Sequence, residues 1–217
     1  MADGPSLLQD IVVRIYLDDK TSLGTGFFLE DDLVITCYHV LEEKDGSLRN
    51  CYYIKHDSSC IVAAEPLISS KPFDIAILRS CVPSPKPINV VIKTWDNNGK
   101  DEFLTRGYDI NTPLNEGAST EGGEIASRST LDGEPRLQLR TELDTLLQGR
   151  SGSPVWSERQ NALVGMVDYR SGKESKSKER SFAIPLEALG QMGLKIHPEG
   201  QVFYVPPLPL NFIPPDF

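Results

Sequence analysis

The chain has 217 residues, 39% of them hydrophobic and 24% charged, enough for a full core in one large domain or two small packed halves. A net charge of -9 and a pI near 4.9 argue against nucleic-acid binding, and the densest basic cluster, Lys173 to Arg180, includes Glu174 and Glu179. No apolar run is long enough to span a membrane. MADGPSLLQDIVVRIYL has neither a basic n-region nor an uninterrupted apolar h-region, so the expected setting is the cytoplasm.

The first half reads as short strands broken by Gly, Pro, Asp and Asn: DIVVRIYL, TGFFLE, LVITCYHVL, NCYYIKH, CIVAAEPL and DIAILRS. A helical turn is expected at HVLEE. Four cysteines, Cys37, Cys51, Cys60 and Cys81, fall in this half and match no zinc spacing. No metal and no other cofactor is expected, and a cytoplasmic chain favours free, mostly buried thiols. After a polar break at TWDNNGKDE the strands resume as FLTRGYD, GEIASRST, RLQLRTEL, SPVWS, ALVGMVDY and SFAIPL, with a second helical turn at PLEALGQMG. A dozen closely spaced strands with little helix predict an all-β fold, and the break predicts two six-stranded antiparallel barrels. The expected organisation is a first barrel over residues 1–95, a second over 96–198, and a Pro-rich tail or linker over 199–217.

One stretch between these strands carries chemistry. GRSGSP, Gly149 to Pro154, sets a serine among glycines, which by itself marks an ordinary turn. The chain holds three histidines, His39, His56 and His197. His56 and His197 read as surface residues. His39 ends an apolar strand, where a side chain at a cleft is well placed to move protons. Asp74 opens the apolar strand DIAILRS, and a partly buried carboxylate needs a strong partner. Alone, each has an ordinary reading, a core histidine and a turn-capping aspartate. Together they run His39, Asp74, Ser151, the chain order of a chymotrypsin-type triad.

These segments resemble the trypsin-like serine protease family. GTGFFLEDDLVITCYHVL resembles its GSGF…LTAAHV signature, FDIAILR its DIALL segment, GRSGSPV its GNSGGP segment and ALVGMVDY its GIVSWG strand. SFAIPLEAL resembles the FAIP ending of the bacterial high-temperature-requirement branch. The resemblance implies a chymotrypsin-like fold and an active site between the barrels. Ser151 would be the nucleophile, His39 the general base and acid, and Asp74 its orienter. The N–H groups of Gly149 and Ser151 would form the oxyanion hole, and Asp168, Tyr169 and Arg170 would pair with an extended peptide substrate.

Departures from the family pattern are equally legible. Arg150 stands where zymogen-type relatives carry the aspartate that receives a freshly cut N-terminus, so activation by that cleavage is not expected. Thr145 occupies the position that sets basic specificity in trypsin, and Ser181 would narrow the pocket wall. Asp168 replaces a serine and has two readings, a contact for a basic substrate residue or a neighbour of Asp74. The disulfide that closes the histidine loop in secreted relatives is not expected.

The tail VPPLPLNFIPPDF resembles the linker between N-terminal effector domains and nucleotide-binding oligomerisation modules in bacterial signal-transducing NTPases, many of them implicated in antiphage defence. The resemblance implies a cytoplasmic protease effector joined to such a module in the same polypeptide and acting on a protein or peptide substrate; from charge and hydropathy, no nucleic-acid or membrane partner is expected. The competing reading is a protease-fold interaction module that binds an extended peptide without cutting it.

Overall fold

The computed structural model describes residues 3–18, 20–56, 60–86, 88, 90–109, 113, 116–141, 149–168, 181–196 and 202–204. The first element is a helix, α1 (Gly4–Ile11). The sequence reading begins a strand at Asp10, and the chain instead stays helical to Ile11. Asp3 accepts from the Ser6 N–H at 2.9 Å, Pro5 opens the first turn, and Leu7, Leu8 and Ile11 form a buried stripe. A methyl group on Gly4 would lie 2.4 Å from Trp156 Nε1, so this end of the helix rests on the second half of the chain.

Six strands follow: β1 (Val12–Tyr16), β2 (Ser22–Phe28), β3 (Leu33–Thr36), β4 (Tyr52–His56), β5 (Val62–Ser70) and β6 (Ile75–Ser80), with the single-turn helix α2 (Tyr38–Leu41) after β3. They close as an antiparallel barrel in the order β1-β2-β3-β6-β5-β4. The second barrel joins β7 (Asp101–Gly107), β8 (Ser119–Leu131), β9 (Glu134–Thr141), β10 (Pro154–Ser157), β11 (Ala162–Asp168) and β12 (Ser181–Pro185) in the order β10-β11-β12-β9-β8-β7. Two closed six-stranded antiparallel barrels are a chymotrypsin-like architecture, as the strand count predicts. A 3-10 helix, Leu186–Met192, ends at Gly193, and β13 (Leu194–Ile196) pairs with β14 (Val202–Tyr204).

Among the described residues, closure leaves neither barrel an open edge along its paired strands. Phe27, Ile35, Ile54 and Ile77 are buried on strands of the first barrel, and Phe103, Ile125, Leu137 and Val164 belong to the core of the second. The seam between the barrels is tied by backbone groups. The Thr25 N–H donates across it to Ser151 O at 3.1 Å, and the Cys37 thiol donates across it to Val167 O at 3.3 Å. On either side, Thr36 Oγ1 donates to Thr25 O at 2.7 Å within the first barrel and the Gly152 N–H donates to Val167 O at 2.9 Å within the second. This seam is where the strand ends converge and where the candidate site lies.

Candidate active site

His39 sits in α2, immediately beyond β3. Its backbone N–H donates to Asp74 Oδ1 at 2.9 Å and its Nδ1 lies 2.7 Å from Asp74 Oδ2. One carboxylate thus holds both the main chain and the ring of the histidine. Asp74 is itself held, its carbonyl accepting from the Tyr38 N–H at 3.1 Å and its N–H donating to Lys71 O at 3.2 Å. Its φ of 59° lies in the left-handed region, where aspartate is among the few side chains tolerated.

On the other side of the ring, His39 Nε2 lies 2.9 Å from Ser151 Oγ. An ionised carboxylate only accepts, so the proton belongs on Nδ1 and Nε2 is left to accept from the serine hydroxyl. The exposure is graded. The His39 side chain is 31% accessible and that of Asp74 3%, so the imidazole faces the cleft and the carboxylate faces the interior.

Three successive carbonyls around Ser151 are pinned. Gly149 O accepts from Thr25 Oγ1 at 3.2 Å, Arg150 O from the Ser153 N–H at 2.9 Å, and Ser151 O from the Thr25 N–H at 3.1 Å. Peptide planarity then aims the Ser151 N–H opposite to the Arg150 carbonyl. The Gly149 N–H belongs to a peptide shared with Gln148, which lies outside the described residues. Gly149 has φ of 103° and Gly152 of 88°, so both flanks of the turn use backbone that favours glycine.

Of the expected substrate contacts, Thr145, Tyr169 and Arg170 lie outside the described residues, as does His197. His56 is buried on β4, with Nε2 3.0 Å from Gln9 O. Ser181 is buried at the start of β12, opposite Leu139. Asp168 is 1% exposed and its Oδ2 accepts from Arg136 Nε at 3.0 Å. Sequence reasoning missed Arg136. Its one signal is its place in RLQLR, a strand whose Leu137 and Leu139 are buried. We expect Arg136→Met to cost about 3–5 kcal/mol in urea unfolding, because it takes a buried guanidinium away from the buried Asp168 carboxylate. Arg136→Met with Asp168→Leu should recover much of that loss, and no recovery would mean that packing rather than charge dominates.

Cys37, His39 and Asp74 offer ligand-type atoms within 4.8 Å of one another. Burial pushes the Cys37 thiol well above its ordinary range, with Asp74 and Asp168 adding to the effect, so the sulfur is kept protonated. Each group has a partner already: Cys37 has Val167 O, and His39 and Asp74 have each other. None of Cys37, Cys51, Cys60 and Cys81 is in a disulfide. Beside His39, Gly24 abuts Val40: a Cβ on Gly24 would lie 3.1 Å from the nearest Val40 methyl carbon.

A two-barrel fold with Ser, His and Asp meeting at the seam defines the serine-protease architecture. Residues 24–166 match the trypsin-like peptidase domain, and the chain belongs to that family. Among solved structures it is similar to an inactive form of the Rv3671c protease of M. tuberculosis H37Rv, at 19% identity over 88% of this chain and 95% of that one, TM-score 0.65. It is similar to the HtrA-type protease AlgW with decapeptide, at 17% identity over 88% of this chain and 65% of that one, TM-score 0.68. The apo MamO protease domain from Magnetospirillum magneticum is similar at 13% identity over 85% of this chain and 96% of that one, TM-score 0.63. No curated protein matches the chain by sequence. Among the described residues no helix is long and apolar enough to cross a membrane.

Proposed function

We propose that this chain is a serine endopeptidase that works through an acyl-enzyme. The observation that carries the reading is the continuous chain from Asp74 to His39 at 2.7 Å and from His39 to Ser151 at 2.9 Å. Ser151 Oγ attacks the scissile carbonyl carbon and its proton passes to His39 Nε2. The carbonyl oxygen becomes an oxyanion facing the N–H groups of Ser151 and Gly149. His39 then gives its proton to the leaving amine as the C–N bond breaks. Water repeats the sequence on the ester, with His39 again taking and returning a proton. Asp74 holds the ring in the correct tautomer and stabilises the imidazolium.

The substrate is an extended protein segment laid along the end of β11, past Asp168. The peptide-bearing AlgW structure supports this by likeness of fold. The tail VPPLPLNFIPPDF supports a role as the effector of a cytoplasmic antiphage protein with a nucleotide-binding oligomerisation module. A Walker A motif encoded beyond Phe217 is the expected genomic result, and a stop codon directly after it would remove that role.

A fluorophosphonate probe should label wild-type protein at Ser151, with labelling abolished in Ser151→Ala. Absence of labelling in both this chain and the full-length protein would overturn the protease reading. Peptide binding without labelling would instead assign the fold to recognition.

A further inference from the structure

The geometry points to Arg150 as a positioning residue that seats the nucleophile turn on Asp109, Ser119 and Glu121. This rests on the protease reading above. Its side chain is 1% accessible and is the cation nearest in sequence to the nucleophile. Nε donates to Asp109 Oδ1 at 3.1 Å, Nη1 to Ser119 O at 2.9 Å, and Nη2 to Glu121 Oε1 at 3.1 Å and to Ser119 Oγ. A guanidinium in the interior requires acceptors at fixed angles, and the β7–β8 connection with the start of β8 supplies all four of these.

Arg150 lies between the two residues whose N–H groups would face the oxyanion. Its own carbonyl is pinned to Ser153 and its side chain to Asp109, Ser119 and Glu121, so the peptide on each side has little freedom to rotate. Tyr108, just before Asp109, reaches the same turn through Thr25 of the first barrel. The Tyr108 N–H donates to Thr25 Oγ1 at 2.9 Å, and that hydroxyl donates to Gly149 O at 3.2 Å. The first barrel joins the arrangement through Arg14. Arg14 donates to Pro113 O at 3.1 Å and to Asp109 O at 3.4 Å, with its guanidinium carbon 5.2 Å from the Tyr108 ring centre.

The charges fit this role. One buried cation faces two acids, and burial holds the Glu121 carboxyl above its ordinary range while Arg150 pulls it down and Asp109 pushes it further up. The cation before the nucleophile thus comes from the chain's own side chain, and the anions come from the β7–β8 connection and β8. No cut terminus is required to fill the site.

Fluorophosphonate inactivation separates this role from a purely structural one, because its saturating rate reports the oxyanion geometry and its half-saturation reports binding. Arg150→Met should lower the saturating rate about 100-fold, as expected for one oxyanion donor lost, with half-saturation changed less than about threefold. Arg150→Lys should recover part of the rate, since it restores the charge without the fork. Asp109→Asn, at a carboxylate 20% accessible, should cost about tenfold in the same parameter and keeps the test open if Arg150→Met fails to fold. Cooperative thermal unfolding is recorded for each variant. A folded Arg150→Met or Asp109→Asn protein that is labelled at the wild-type rate would overturn the inference, as would a change confined to half-saturation. Wild-type protein that stays unlabelled both as this chain and at full length overturns the protease reading itself, a separate outcome.

Discussion

Replacing Asp74 by Asn should lower kcat/KM by about 10⁴ at neutral pH while leaving the fold intact. Asn is the substitution that isolates the proton problem. Asp74 has φ of 59°, and Asn tolerates that region as well as Asp does, so the backbone carries no new strain. The amide oxygen can still accept from the His39 N–H, now made by Oδ1 at 2.9 Å. The other arm changes sign. Where Oδ2 accepts from Nδ1 at 2.7 Å, an NH₂ group donates, and the imidazole answers by moving its proton to Nε2. Nε2 then points an N–H at Ser151 Oγ across the 2.9 Å contact and cannot take the serine proton. Four decades correspond to about 5 kcal/mol of barrier. Steady-state kinetics against the peptide best cleaved by wild type would check this, with fluorophosphonate labelling as a second readout. Loss of less than tenfold would show that Asp74 does not set the tautomer. Asp74→Ala is a poorer test, because it adds backbone strain and releases the His39 main chain together with the ring.

Much of this was legible because strands announce themselves in short apolar runs. LVIT, IAILRS and PVWS become β3, β6 and β10 because β-branched and aromatic residues suit a pleated, buried surface. The helix α1 was not foreseen, since the apolar run of DIVV masks where helix gives way to strand. Its markers, Asp3 and Pro5, are present and lie a full turn or more earlier. The order His39, Asp74, Ser151 could be read because each residue abuts a recognisable strand. The environment of Arg150 could not. Asp109 and Glu121 stand 41 and 29 residues before it, and nothing local distinguishes a buried arginine from a solvated one. The two readings of Asp168 persist in the sequence for the same reason. The pair that occupies its Oδ2 is made with Arg136, 32 residues away on a different strand.

The same distinction between local and distant cause can be measured with two glycines. Gly152 and Gly133 have nearly the same backbone, with φ of 88° and 86°, so an added methyl group strains both chains alike. Their surroundings differ completely. At Gly133, in the β8–β9 hairpin, nothing lies within 4 Å of where the Cβ would go. At Gly152 that Cβ would lie 1.9 Å from Thr25 O and 2.6 Å from Thr36 Oγ1. The carbonyl cannot yield alone, because Thr36 holds it at 2.7 Å and the Thr25 N–H is tied to Ser151 O at 3.1 Å. The methyl group therefore forces the barrels apart at the seam that carries the nucleophile. Gly133→Ala should cost about 1 kcal/mol, the lower end for a residue held in this region. Gly152→Ala should cost about 3–6 kcal/mol, from the same strain plus overpacking against backbone. A domain with about 5–15 kcal/mol in hand survives the first change easily and is close to unfolding after the second. Urea unfolding of the two variants measures the difference directly. Ser151 labelling in Gly152→Ala, under conditions where it remains folded, should also fall, because the displaced Thr25 carries Ser151 with it. Equal losses of stability at the two sites would show that the seam is loose enough to absorb a methyl group, and the positioning of Ser151 would then have to come from its own turn alone.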